Sequence, residues 1–293
     1  MELKLKTLVD VFRHAAEHWV GDGFPVRTVF SYDQLGQELS PFLLLDYAGP
    51  HEFETSARPR GVGPHPHRGF ETVTIVYDGE VAHSDSAGCG GIIGPGDVQW
   101  MTAGSGILHQ EFHSPRFTKT GGVFRVAQLW INLPADRKLT APRYQSIKAE
   151  TMPVVELEGG AGHARIIAGS FGGQMGPAKT FTPVNVWDLE LKGEARATIE
   201  APEGHTTLVV VLSGALAFDQ TERVREAEAA LFSRAGAGVV LMPAAPTEAL
   251  MLTGVPIDEP IVGRGPFVMN TEAEIRQAFH DFGSGRFGAL ERR

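Results

Sequence analysis

Apolar residues along this chain come in short runs, not in long stretches or helical stripes. Val26–Phe30 and Pro41–Tyr47 (PFLLLDY) read as strands, and the polar stretch from His51 to Gly63, carrying Pro59, reads as a loop. Glu71–Tyr77 (ETVTIVY) is dense in β-branched residues and stops at Asp78-Gly79, a pair that favours a tight turn. Asp97–Met101 and Arg125–Leu133 (RVAQLWINL) repeat the pattern, the latter ended by Pro134. Strands at this spacing, with no ten-residue helical pattern between them, predict an all-β sandwich or barrel.

Lys138–Glu158 is polar and poorly patterned, and is read as a crossing between two halves. Beyond it Thr206–Leu212 stops at Ser213-Gly214, and Gly238–Met242 stops at Pro243. Glu71–Gly79 echoes Thr206–Gly214, and Gly96–Ala103 is set against Gly238–Ala245. The chain therefore reads as a duplicated β unit: residues 1–137, a crossing over 138–160, and residues 161–293. The end differs. Thr271–Glu274 has the form of a capping box, and Ile275, Ala278, Phe279 and Phe282 recur at helical spacing. The pattern predicts a helix closing the second unit, with a packing role.

Composition narrows the function classes. Glycine and proline number 35 and 19, an excess that fits many turns and argues against a helical bundle. The net charge of −9, with no long Lys/Arg run, argues against direct binding of nucleic acid. No apolar run approaches the roughly 20 residues of a membrane span. Met1–Val20 mixes charges among its apolar residues and lacks the core of a secretion signal. The single cysteine, Cys89, cannot form an internal disulfide. A cytoplasmic location is expected.

Histidine carries the candidate chemistry. Five of the 11 histidines fall between His65 and His113. In His65-Pro66-His67 the two imidazoles sit at i, i+2, on one face of an extended strand and about 6.6 Å apart. His109-Gln110-Glu111 does the same with an imidazole and a carboxylate. On neighbouring strands the two pairs would form a symmetric pincer around a metal ion. Glu71 is the rival carboxylate. It lies roughly 13 Å along the strand from His67 and could ligate only if the chain bends sharply near Gly69. Glu111 is preferred on spacing. His83 and Asp85 are read as a polar strand edge, His113 as a rim residue, and Cys89 as a small loop or buried residue. His14 and His18 have helical spacing but no third ligand nearby, and are read as a surface feature. No dinucleotide loop, phosphate-binding loop, nucleophile elbow or CxxC is present. Between Ala161 and Gly263 only His163 and His205 occur, and the segment taken to correspond to His109–Glu111, around Thr247-Glu248-Ala249, has no histidine. The second unit is expected to hold no metal.

Pro64–Thr74 (PHPHRGFETVT), Gly96–Glu111 (GDVQWMTAGSGILHQE) and Glu259–Asn270 (EPIVGRGPFVMN) resemble the hallmark segments of the pirin family, and the likeness runs from Trp19 to Phe282. The resemblance implies a bicupin: two face-to-face antiparallel β-barrels of the jelly-roll, cupin type, with a metal in the N-terminal one. It implies His65, His67, His109 and Glu111 as metal ligands, the same four reached from spacing. It implies iron, and in bacterial relatives cleavage of quercetin with dioxygen; in eukaryotic relatives it implies a nuclear, redox-sensing regulator of transcription. The expectation is one divalent metal ion, Fe2+ first, with Ni, Cu, Mn and Zn left open by an imidazole-rich site. Its partners would be a small planar phenolic substrate and O2, with Glu111 as catalytic base. The alternative is an iron-binding regulatory protein that binds a protein partner without turnover. A zinc-dependent cupin isomerase is a third reading.

Overall fold

A computed structural model describes residues 3–13, 16–193, 195–218 and 222–290. The chain divides into two units. The first comprises Ala16–Gln37, Phe42–Ala149 and Ile257–Arg293; the second comprises Met1–Ala15, Glu38–Pro41 and Glu150–Pro256. The boundaries expected from sequence differ at both termini. Leu8–Phe12 pairs antiparallel with Glu228–Phe232 of the second unit, while the C-terminal helix belongs to the first. A strand joins whichever sheet edge offers unpaired backbone groups, which chain order does not reveal.

The first unit holds strands β1 (Glu17–Val20), β2 (Phe24–Ser31), β3 (Phe42–Phe53), β4 (Gly61–His67), β5 (Phe70–Asp78), β6 (Val81–Asp85), β7 (Gly90–Ile93), β8 (Val98–Thr102), β9 (Ile107–His113), β10 (Gly122–Asn132) and β11 (Arg143–Ile147). The C-terminal segment adds the hairpin β12 (Val262–Arg264) and β13 (Phe267–Met269), then helix α1 (Glu272–Gly283). A seven-stranded sheet runs β11-β8-β5-β10-β3-β2-β1, and a four-stranded sheet runs β4-β9-β6-β7. Both contribute to one apolar cluster, Val81 and Ile93 from the smaller sheet against Val76, Phe124 and Val126 from the larger. The stretch expected as a loop from His51 is shorter, because β3 runs to Phe53 and β4 starts at Gly61.

The second unit repeats this plan. Its larger sheet orders Leu8–Phe12, Glu228–Phe232, Thr206–Ser213, Thr247–Gly254, Val184–Leu191, Gly162–Ala168 and Val154–Glu156. Its smaller sheet orders Ala197–Glu200, Gly238–Pro243, Ala215–Ala217 and Arg223–Arg225. β5 and Thr206–Ser213 occupy the same third place, as the sequence echo predicts. The other echo is displaced by one strand. Gly238–Pro243 corresponds by order to β9, not to β8, and Thr247–Gly254 corresponds to β10. Both mismatches rest on short segments compared without their strand partners, and segments so short carry too little pattern to fix which strands correspond.

Two features shape the surroundings of the paired histidines. Gly69 has φ 89°, and a Cβ there would lie 2.0 Å from the Val268 carbonyl oxygen, so only glycine makes the bend between β4 and β5. Lys138, fully buried, donates to the Gly69 carbonyl (2.9 Å), Asn132 Oδ1 (2.7 Å) and the Val268 carbonyl (2.9 Å), fastening β13 to that bend. The helix α1 starts at Thr271, whose hydroxyl accepts the Glu274 N–H as the capping pattern predicts. Its buried face is Ile275, Ala278 and Asp281, while Phe279 and Phe282 stay partly exposed. Asp281 turns inward because Arg68 reaches it at 2.9 Å. Among the described residues no helix is long and apolar enough to cross a membrane.

Candidate metal centre

Strands β4 and β9 are antiparallel neighbours, with His109 opposite His65 and Ile107 opposite His67. Alternation then sends His65, His67, His109 and Glu111 to one face. The three imidazoles converge: ring centroids are 4.2 Å apart for His65 and His109, 4.9 Å for His67 and His109, and 4.9 Å for His65 and His67. Each offers a ring nitrogen within 4.8 Å of the other two, close enough to share one ion.

The pincer is not symmetric. Between His109 and Glu111 the register slips, so that Glu111 faces Val62 and β4 carries an extra residue. Glu111 instead groups with His109 and His83, again with ligand atoms within 4.8 Å. The four expected residues thus span two overlapping groups that share His109. Glu71, the rival carboxylate, lies beyond the bend in the larger sheet and joins neither group. Its Oε1 accepts the Thr102 hydroxyl at 2.6 Å, and burial pushes its carboxyl up to about 7.

Hydrogen bonds present the imidazoles as ligands. His65 Nδ1–H donates to the Gly63 carbonyl at 2.9 Å, and His67 Nδ1–H donates to the Pro266 carbonyl at 3.3 Å. Each leaves its Nε2 lone pair free, the pattern that orients metal-binding histidines. His109 Nε2 is buried with no hydrogen-bond partner among the described residues, a state that costs free energy unless a donor or a metal ion engages it. Burial, then the neighbouring imidazoles, lowers the His109 pKa well below its ordinary value and that of His67 to about 3. Both rings are therefore neutral, as ligation requires.

Glu111 is held by three donors from three strands of the opposite sheet. Thr74 Oγ1 (3.3 Å) and Gln99 Nε2 (3.3 Å) donate to its Oε1, and Gln128 Nε2 (3.1 Å) to its Oε2. The sequence reading missed all three. Their signal was present: Gln99 and Gln128 are polar interruptions in otherwise apolar strands. His83 and Asp85 are not an edge feature but are wholly buried, because β6 pairs with β9 so that Asp85 faces His109 and His83 faces Glu111. His113 is buried among Phe24, Phe53, Phe117 and Phe124, and its Nε2–H donates to the Gly23 carbonyl at 2.9 Å, so it is not a rim residue. Cys89 is exposed in a loop. His18 is exposed, and His14 lies outside the described residues.

A small cavity of about 40 Å³ opens beside His65 and Glu111. Phe24, Val26, Val62 and Val126 form apolar walls, and Gln128 and Asp46 supply the other polar groups. Asp46 accepts the Thr28 hydroxyl at 2.6 Å, and burial raises its pKa. Its lining is mostly apolar with a few converging polar groups, the usual make-up of a small-molecule site.

Profiles described as Pirin and as Pirin C-terminal cupin domain match residues 23–131 and 186–288. The chain is 53% identical to a crystallised quercetin 2,3-dioxygenase from Acinetobacter baumannii, with a TM-score of 0.95 covering 98% of this chain and 100% of that one. It is 35% identical to pirin of Homo sapiens over 92% of this chain and 89% of that protein. It shares its fold with a bacterial pirin from Escherichia coli solved in complex with nickel(II), at 18% identity and a TM-score of 0.63, covering 83% of this chain and 96% of that one. With both cupin domains matched and the likeness spanning nearly its whole length, the chain belongs to the pirin family.

Proposed function

We propose that this protein is a metal-dependent cupin dioxygenase that cleaves quercetin-like flavonols, with one divalent metal ion, Fe2+, held by His65, His67, His109 and Glu111. The observation that carries the reading is the buried, unpartnered Nε2 of His109, flanked by two imidazoles whose Nδ1 atoms are tied back to backbone carbonyls. The likeness to the Acinetobacter baumannii quercetin 2,3-dioxygenase supports the substrate class. A divalent ion bound there supplies a Lewis acid for an ionised phenolic oxygen and, as iron, a redox partner for dioxygen.

The chain's own residues do the rest. Phe24, Val26, Val62 and Val126 give the approach to His65 and Glu111 an apolar lining against which an aromatic ring would pack. Glu111, which lines the cavity, is the general base that takes the proton of the flavonol 3-hydroxyl. Thr74, Gln99 and Gln128 hold its carboxylate in place while it does so.

The test is oxygen uptake by the iron-loaded protein with quercetin, followed together with loss of quercetin absorbance. Turnover at least about 100-fold above a His109→Ala control is expected. Equal uptake by the two proteins would contradict the proposal.

A further inference from the structure

His83 and Asp85 have no part in the proposed reaction, yet both side chains are fully buried within reach of the imidazole cluster. Asp85 Oδ1 accepts two backbone N–H groups, those of Ala87 and Cys89, each at 2.9 Å. Its Oδ2 faces His83 Nε2 at 3.1 Å. The other ring nitrogen, His83 Nδ1, faces Gln99 Nε2 at 3.2 Å and His109 Nδ1 at 3.5 Å. The Gln99 amide is oriented at both ends: Tyr144 O–H donates to its Oε1 at 3.4 Å, and its Nε2 donates to Glu111 Oε1 at 3.3 Å.

These contacts order the protons. A carboxylate only accepts and an amide nitrogen only donates, so His83 carries its proton on Nε2, toward Asp85, and its lone pair on Nδ1. That lone pair is shared between the Gln99 N–H and His109 Nδ1, which carries its proton because two bare nitrogens 3.5 Å apart would repel. The lone pair of His109 is thereby left on Nε2, the buried atom without a partner among the described residues. Tyr144 stacks on His83 with ring centroids 5.0 Å apart and planes 15° from parallel, which keeps the ring from turning over.

We propose that Asp85 and His83 are positioning residues that fix the tautomer of His109 and so aim its Nε2 lone pair at the metal; the proposal rests on the metal assignment above. The polarity of the series starts at Asp85 and has one consistent direction. Reversing it at Asp85 removes the acceptor that holds the proton on His109 Nδ1.

Asp85→Asn performs that reversal with little change in shape. The two N–H groups on Oδ1 hold the asparagine carbonyl in that place, so its NH2 faces His83 Nε2. His83 must then move its proton to Nδ1, the Gln99 amide must turn away, and His109 Nδ1 loses its acceptor, so that the His109 proton is free to shift to Nε2, where it blocks ligation. Long-range proton–nitrogen NMR of the metal-free wild type is expected to show His109 as the Nδ1–H tautomer and His83 as the Nε2–H tautomer, with His83 reversed and His109 no longer held as Nδ1–H in Asp85→Asn. Ni2+ affinity, measured by competition with a chromophoric chelator, is expected to be 10- to 100-fold weaker in the variant, the usual cost of losing a residue that orients a metal-binding histidine. An Nε2–H tautomer of His109 in the wild type overturns the proposal, and this reading stands even if the variant fails to fold. Wild-type tautomers and wild-type Ni2+ affinity in Asp85→Asn also overturn it. Wild-type protein with the expected tautomers but no Ni2+ uptake overturns the metal assignment instead, and upholds the proton order along Asp85, His83 and His109.

Discussion

The two units share one strand order and enclose opposite interiors. In the first, β4 and β9 bring His65, His67, His109 and Glu111 to a common face, and β6 adds His83 and Asp85. In the second, the strands at the same places are Ala197–Glu200, Gly238–Pro243 and Ala215–Ala217, and their inward residues Ala197, Ile199, Val239, Leu241 and Leu216 belong to one apolar cluster. The opposite sheets differ in the same way. Thr74, Gln99 and Gln128 reach Glu111 in the first unit, whereas Val209, Val211, Ala230, Ala249 and Met251 complete the hydrocarbon core in the second. Among the described residues the second unit's histidines, His163 and His205, are engaged locally, with Glu190 at 3.2 Å and Thr253 at 3.3 Å. One backbone plan therefore supports either a polar cage or a closed core, and the chemistry lies in side chains placed on it.

That comparison can be broken most severely at His109. Replacing it with alanine is expected to remove bound metal to background and lower kcat/KM at least about 100-fold, read by elemental analysis and oxygen uptake, while the fold survives. In the second unit, Leu241→Ala should cost about 2–5 kcal/mol in urea unfolding, the usual penalty for an emptied core position, with metal content unchanged. A similar stability loss with loss of metal would mean that the interiors are not independent in function.

Glu71 sharpens the contrast within the first unit. Its folded pKa of about 7 lies above its ordinary 4.5, because burial disfavours the charge. The folded state holds that proton more tightly, so the contribution to stability is present below pH 4.5 and is lost as pH rises through 7. Glu71→Gln in metal-free protein should match the wild type near pH 4.5 and exceed it at pH 8 by about 2–3 kcal/mol, with full metal binding. Loss of metal in this variant would restore Glu71 as a ligand. The smallest effect is expected at Gln128. Gln128→Leu removes one of three donors to Glu111 and should lower kcat/KM about tenfold with metal content kept, as for one hydrogen bond to a charged group.

Much of this was legible in the sequence because it depends on local spacing. The i, i+2 pairs needed only the period of an extended strand, and the bend at Gly69 and the cap at Thr271 have local signatures. What stayed hidden depends on pairing between distant strands. His83 and Asp85 become neighbours of His109 only through the β6–β9 register, and the slip beside Glu111 arises where β4 gains a residue. Asp281 faces inward because of Arg68, 213 residues away. The exchange of the chain ends between units follows from sheet edges, which no local pattern records.

The central claim, that one unit holds one metal ion and its counterpart holds none, is tested most directly by elemental analysis of freshly purified protein. The account predicts one equivalent of a divalent metal per chain in the wild type, still present in Leu241→Ala and absent in His109→Ala. Metal-free wild type, two equivalents per chain, or metal retained without His109 would contradict it.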